Sequence, residues 1–400
     1  MSLDINIDTK LEIDDSQFPE HIPLIPLNLE KEKQKEAIRK LANEIRKKTG
    51  KIEPIIVTKD GIAKKASELS SIEKEEEFLH CATDTIYFIE TYLTIFDQTQ
   101  GTSGLIVPFK LFEYQKDLIK SYLDHRFVIA NKYRQAGIST TTCAYIAWYV
   151  MFNQNRTVAI VADKLETARD ELMNDVINFI EGCPNFLRPK TGKETKEKLK
   201  DTQKLKRYDN DSALGAFSSK GLRGTTPTLL FWDETAWTEK AGKFWTAAKP
   251  TLQTGGRAIM VSTPSGLDEV FYLTFTEARK NKNNFVAVEL WWFNDPRYNK
   301  NLVWLKNKGH DTEIRLVDAN WSNEERIKLM DDGWEASSPW FEEQIREANG
   351  NLKIIAQELL CVFGEAIITV KNKKTGIIED IKISDFYNRL KEESISCMYL

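Results

Sequence analysis

Asn131 to Thr142 reads NKYRQAGISTTT and gathers the residue types that a phosphate ester needs: cations, a glycine and a run of hydroxyls. It follows the apolar run Phe127 to Ala130 and leads into Cys143 to Trp148, where apolar residues continue at helical spacing. Strand, tight glycine loop and hydroxyls opening a helix are the layout of a phosphate-binding loop, because N–H groups converge on an anion at the helix start. Gly137 permits close backbone approach and Ser139 is placed for Mg2+, while Gln135, Ala136, Ile138 and Thr140 complete the expected cradle. Ile138 stands where a G-x-x-x-x-G-K-S/T loop carries its lysine. Lys132, at the mouth of the loop, is the substitute, since a flexible ammonium side chain can reach the same phosphate from another backbone position. A plain glycine turn between a strand and a helix is the competing reading.

Two further strand ends carry chemistry. Leu229 to Trp232 is apolar and runs into Asp233 and Glu234. Adjacent carboxylates at a strand end point in different directions. Asp233 can therefore hold Mg2+ while Glu234 orients and deprotonates an attacking water. Met260 and Val261 run into Ser262, Thr263 and the turn Pro264-Ser265-Gly266, a motif that resembles one whose hydroxyls sense a γ-phosphate, with a plain polar strand end as the alternative.

The elements that must position these ends alternate along the chain. Short apolar runs at Thr157 to Ala162, Ala213 to Phe217, Thr228 to Trp232 and Arg257 to Val261 are separated by helical patterns, including an amphipathic one from Leu165 to Ile180. Continuous apolar strands with helical crossovers predict a mainly parallel sheet flanked by helices, an α/β fold. Residues 1–75 read as an N-terminal extension, with a charged helix over Leu29 to Lys48.

Spelling and order together resemble the large terminase subunits of tailed bacteriophages, over roughly Phe78 to Leu360. In that family a lysine can open a deviant Walker A loop, and Arg134 matches an arginine that acts on the γ-phosphate in cis. Tyr114 and Gln115 resemble the adenine-reading segment, with Tyr114 stacking on the base and Gln115 pairing with its edge. Arg223, in the basic loop Ser218 to Thr225, resembles an Arg-Gly element that can touch phosphate of nucleotide or DNA or a neighbouring subunit; a solvated loop is the alternative. The resemblance implies a P-loop ATPase domain of the ASCE type over 76–300 and a small helical lid over 301–360, with Asp295-Pro296 at the end of the main domain. It implies ATP and Mg2+ as cofactors. The partners it implies are double-stranded DNA, a small terminase subunit, the portal protein of a procapsid and further copies in a ring. Such proteins normally continue into an RNase H-like nuclease, which 361–400 has no room to contain.

That last segment, from Cys361, resembles the start of an intein, with Cys361 as the nucleophile attacking the carbonyl of Leu360. Alternation in Ile367 to Val370 and Ile377 to Ile383 around Lys373-Lys374-Thr375-Gly376 predicts a hairpin, a short β tail. No histidine follows His310. Splicing would then need a C-terminal half on another polypeptide. A plain hairpin is the alternative.

Composition sets the outer bounds. Of 400 residues, 29% are charged and 41% hydrophobic, and no apolar run is long enough to span a bilayer. The acidic N-terminus has no signal core, so residence in the host cytoplasm is expected. Five cysteines without CxxC pairs argue against zinc and fit a reducing compartment. A net charge of −4 confines any nucleic-acid contact to a local basic surface. Two rival functions share these features: a helicase-like DNA-dependent ATPase, and a non-hydrolysing nucleotide-binding scaffold of a packaging complex.

Overall fold

The computed structural model of the chain describes residues 54–59, 61–97, 105–191, 205–218, 222, 226–265, 270–308, 311–316, 323–348, 367–371 and 378–382. The charged helix expected over Leu29 to Lys48, Arg223 and Cys361 lie outside the described residues. The chain divides into two compact units, one of residues 1–77 and 90–109 and a second of residues 78–89 and 110–400.

In the first unit, strands β1 (Ile55–Val57) and β2 (Ala63–Lys65) form an antiparallel pair. A second antiparallel pair joins β3 (Thr94–Asp97) to β4 (Leu105–Pro108). The buried Tyr92 hydroxyl donates to Glu77 at 2.8 Å.

The second unit is built on a seven-stranded sheet. Its strands are β5 (Phe127–Lys132), β6 (Thr157–Val161), β7 (Leu205–Arg207), β8 (Ala213–Phe217), β9 (Leu229–Asp233), β10 (Arg257–Ser262) and β11 (Val286–Leu290). They lie in the order β11-β5-β10-β9-β6-β8-β7, and every pairing is parallel except that of β7 with β8. The apolar runs become these strands because helices cover both faces and leave no polar side. Helix α1 (Ile138–Met151) is apolar nearly all round and correspondingly buried. All of β9 is buried as well. Its Trp232 packs edge-on against Phe244 of helix α2 (Ala241–Ala248), with ring centroids 4.5 Å apart, while the indole N–H reaches Thr238 Oγ1 at 2.9 Å.

The segment expected to be a helical lid differs. It does hold the helices Asn323–Asp331 and Pro339–Glu347, but together with a three-stranded antiparallel sheet of β12 (Val303–Lys308), β13 (Asp311–Leu316) and β14 (Glu335–Ser337). Trp304 explains the strand: it is fully buried between the partly exposed Val303 and Leu305, a two-residue alternation that a helix does not produce. Phe341, in the second of these helices, stacks on Trp292, just beyond β11, with ring centroids 4.7 Å apart. Strands β15 (Ile367–Lys371) and β16 (Ile378–Lys382) pair antiparallel, the hairpin read from the alternation.

Candidate active site

Parallel strands deliver all their carboxyl ends to one edge of a sheet, where open α/β folds bind ligands. Three of those ends matter: β5 finishes at Lys132, β9 at Asp233 and β10 at Ser262. Strand β10 lies between the other two.

The loop after β5 is shaped by its backbone. Gln135 has φ 63°, and Gly137, with φ 71° and ψ 15°, caps α1 in the left-handed region. The positive φ calls for glycine, and a Cβ at Gly137 would sit tightly, 3.0 Å from Gln115 Nε2. The loop carbonyls are held from outside: Ala136 O accepts from the Tyr114 hydroxyl at 3.0 Å and Gln115 Nε2 at 3.3 Å, and Gln135 O from Arg297 at 3.0 Å. The first-turn N–H groups of α1 have no intrahelical acceptor, and with the helix dipole they form an anion site.

Opposite the loop, Ser139 Oγ donates to Asp233 Oδ2 at 2.7 Å, and Lys132 Nζ pairs with Glu234 Oε1 at 2.8 Å. Glu234 has φ 48°, so the two acids take separate partners. Burial raises the Asp233 carboxyl to about 6; Glu234 adds to the rise, whereas Lys132 and the Ser139 hydrogen bond oppose it. Its second oxygen, Oδ1, is buried with no hydrogen-bond partner. An oxygen so placed, beside a serine hydroxyl, fits the hard-oxygen donor set of Mg2+. Ser262 Oγ lies 3.3 Å from Glu234 Oε2 and 2.8 Å from Thr263 O, so its one hydrogen serves one acceptor at a time. Thr263 Oγ1 accepts from the Trp237 indole at 3.0 Å.

The remaining expected residues separate into exposed and buried. Arg134 is exposed at the loop surface, and Thr140 is half-buried in the first turn of α1. Ile138 is 1% exposed; its side chain fills the core, which is why an apolar residue stands at the position usually given to lysine. Tyr114 and Gln115 are buried, and the Gln115 amide also accepts from the Phe112 N–H at 3.0 Å.

Sequence reasoning missed the group beneath the loop. Asp295 is wholly buried and accepts from Tyr133 at 2.5 Å and from Arg297 Nη2 at 2.5 Å; the Tyr114 hydroxyl lies 3.0 Å from it, and its one hydrogen serves either this carboxylate or Ala136 O. Burial first, then Tyr114 and Asp295, push the Tyr133 hydroxyl far above its ordinary range. Arg297 in turn reaches the loop at Gln135 O. The readable signal was an acid and an arginine two residues apart after an aromatic run, where only a domain end was expected.

A family model described as terminase large subunit, T4likevirus-type, N-terminal, matches residues 129–382. That span runs across Leu360 and Cys361. Solved structures are similar at low identity. The ATPase domain of a Thermus phage large terminase is 18% identical, with 63% of this chain and 94% of that chain covered and a TM-score of 0.41. The HK97 bacteriophage large terminase is 14% identical, with 72% and 56% covered and a TM-score of 0.46. The large terminase of a thermophilic bacteriophage in complex with ADP is 11% identical, with 64% and 55% covered and a TM-score of 0.41. The chain spans about half the length of these two whole large terminases.

Proposed function

The chain belongs to the large terminase subunit family, T4likevirus type, and from that premise we propose that it is the ATP-hydrolysing part of a viral DNA-packaging motor. The observation that supports this most directly is the meeting of Ser139 with Asp233 at 2.7 Å and of Lys132 with Glu234 at 2.8 Å. Residues from separate motifs thereby share one site at the edge where phosphates bind.

In this reading Ser139 and Asp233 would hold Mg2+, which would supply positive charge to offset that of the phosphates. Lys132 exchanges Glu234 for a phosphate oxygen, and Arg134 reaches the γ-phosphate from the loop surface. Glu234, so released, accepts the proton of a water whose oxygen bonds to the γ-phosphorus as the bond to the ADP oxygen breaks. Tyr114 and Gln115 hold the loop in place through Ala136. Ser262 and Thr263, touching Glu234 and the turn after β9, pass loss of the γ-phosphate onward to the small subdomain of 301–360. The track is double-stranded DNA, delivered by a small terminase subunit to a ring of copies on the procapsid portal.

Lys132→Ala is expected to weaken Mg-ATP binding by about tenfold or more, the value of a charge-assisted contact, and to abolish phosphate release. Nucleotide titration and a phosphate-release assay read the two effects. Absence of hydrolysis in the unaltered chain would favour the scaffold reading. DNA unwinding by the chain alone would favour the helicase-like one.

For the tail, the β15–β16 hairpin suits a continuing terminase chain, into which the family match runs, and equally the opening β unit of an intein begun by Cys361. If the intein reading is right, mixing the chain with a C-terminal intein half yields a ligated product by mass spectrometry, which Cys361→Ala prevents. No product from the unaltered chain would reject it.

A further inference from the structure

The opposite edge of the sheet carries a second concentration of charge. A cavity of about 540 Å³ opens at the amino ends of four neighbouring strands. Arg126 stands just before β5, Arg156 just before β6, Thr228 just before β9, and Arg257 begins β10. Strands of this length separate the two edges by roughly 17–20 Å. A ligand here would not compete with one at the loop of Gly137.

The charged groups lining the cavity are Arg126, Arg156 and Arg257, the lining holds no aspartate or glutamate, and among the described residues none of the three is ion-paired. Two of them have structural work. Arg126 Nε donates to Gly256 O at 2.7 Å, and Arg257 donates to carbonyls at the end of helix Glu113–Asp124, those of Tyr122 and Leu123, and to His125 O at 2.7 Å. Those bonds fix the two guanidinium groups without neutralising them. Arg156 differs: its guanidinium lies over the Tyr149 ring at 5.4 Å, and its Nε is buried with no hydrogen-bond partner. A buried cationic donor without an acceptor is costly unless an anion arrives.

We propose that this cavity is a contact site for the phosphodiester backbone of DNA, with Arg156 as the residue that donates to the phosphate. It rests on the packaging reading above, which supplies DNA as the polyanion. A chain with a net charge of −4 needs such a local basic surface to hold DNA at all. Guanidinium groups suit phosphate oxygens by their planar pairs of donors.

The test is fluorescence anisotropy with a short labelled DNA duplex and the full chain, over a range of salt. Arg156→Ala should weaken binding by about three- to tenfold near 0.1 M salt and flatten the salt dependence by about one ion. Thr254→Glu, a substitution of an exposed residue on the cavity lining, should weaken binding similarly without touching the strands. Both variants should keep the basal ATPase rate of the unaltered chain. Unchanged DNA affinity and salt dependence in both would overturn the proposal. So would a site that responds to inorganic phosphate but not to DNA. Loss of DNA contact with intact hydrolysis fails neither reading, whereas absent hydrolysis with Arg156-dependent DNA binding would sink the motor and spare this site.

Discussion

Glu234→Gln is expected to lower ATP turnover by about two or more orders of magnitude while nucleotide binding persists. The amide keeps the size of the carboxyl and can still accept through Oε1 from Lys132, so the pocket keeps its shape. It cannot take the proton of the attacking water. The predicted split is a collapse in kcat with a small change in the dissociation constant, read by phosphate release and by titration with a fluorescent nucleotide. Turnover like that of the unaltered chain would reject Glu234 as the base. An effect on binding alone would place it with Lys132 as part of the nucleotide grip.

The second large effect concerns stability. Asp295→Ala is expected to cost about 2 kcal/mol, because the buried Tyr133 hydroxyl loses its carboxylate acceptor, while Tyr114 keeps Ala136 O. Arg297 adds less than a fully buried partner would, since its side chain is 37% exposed and water can take the place of the carboxylate. Denaturant unfolding followed by tryptophan fluorescence measures it, and a change below about 0.5 kcal/mol would show the group to be slack. The loop should loosen as well, because Tyr114 and Arg297 hold Ala136 and Gln135 from this carboxylate.

What the sequence made legible was local. The strand and loop from Phe127 to Thr142, and the apolar runs ending at Asp233 and Ser262, each carry strand, turn and chemistry within a few adjacent residues. Their periodicity and residue types therefore announce them. Asp295 was illegible as a site residue because its partners lie far along the chain: 162 positions back to Tyr133 and 181 back to Tyr114. The three arginines at the far edge were hidden in the same way, each looking like a solvated residue flanking its own strand. Strands β12 and β13 escaped because charged and polar residues interrupt their alternation, leaving only the family resemblance, which implied helices, to describe the region.

The place of β10 has a metric consequence. Interposing one strand sets β5 and β9 two strand spacings apart, about 10 Å between backbones. A positive group rooted at the tip of the first can touch a negative group just beyond the second only through a long stem, and a four-carbon one bridges the gap. The width of the sheet thus acts as a gauge, selecting lysine at position 132 by length rather than by the spelling of the loop that follows.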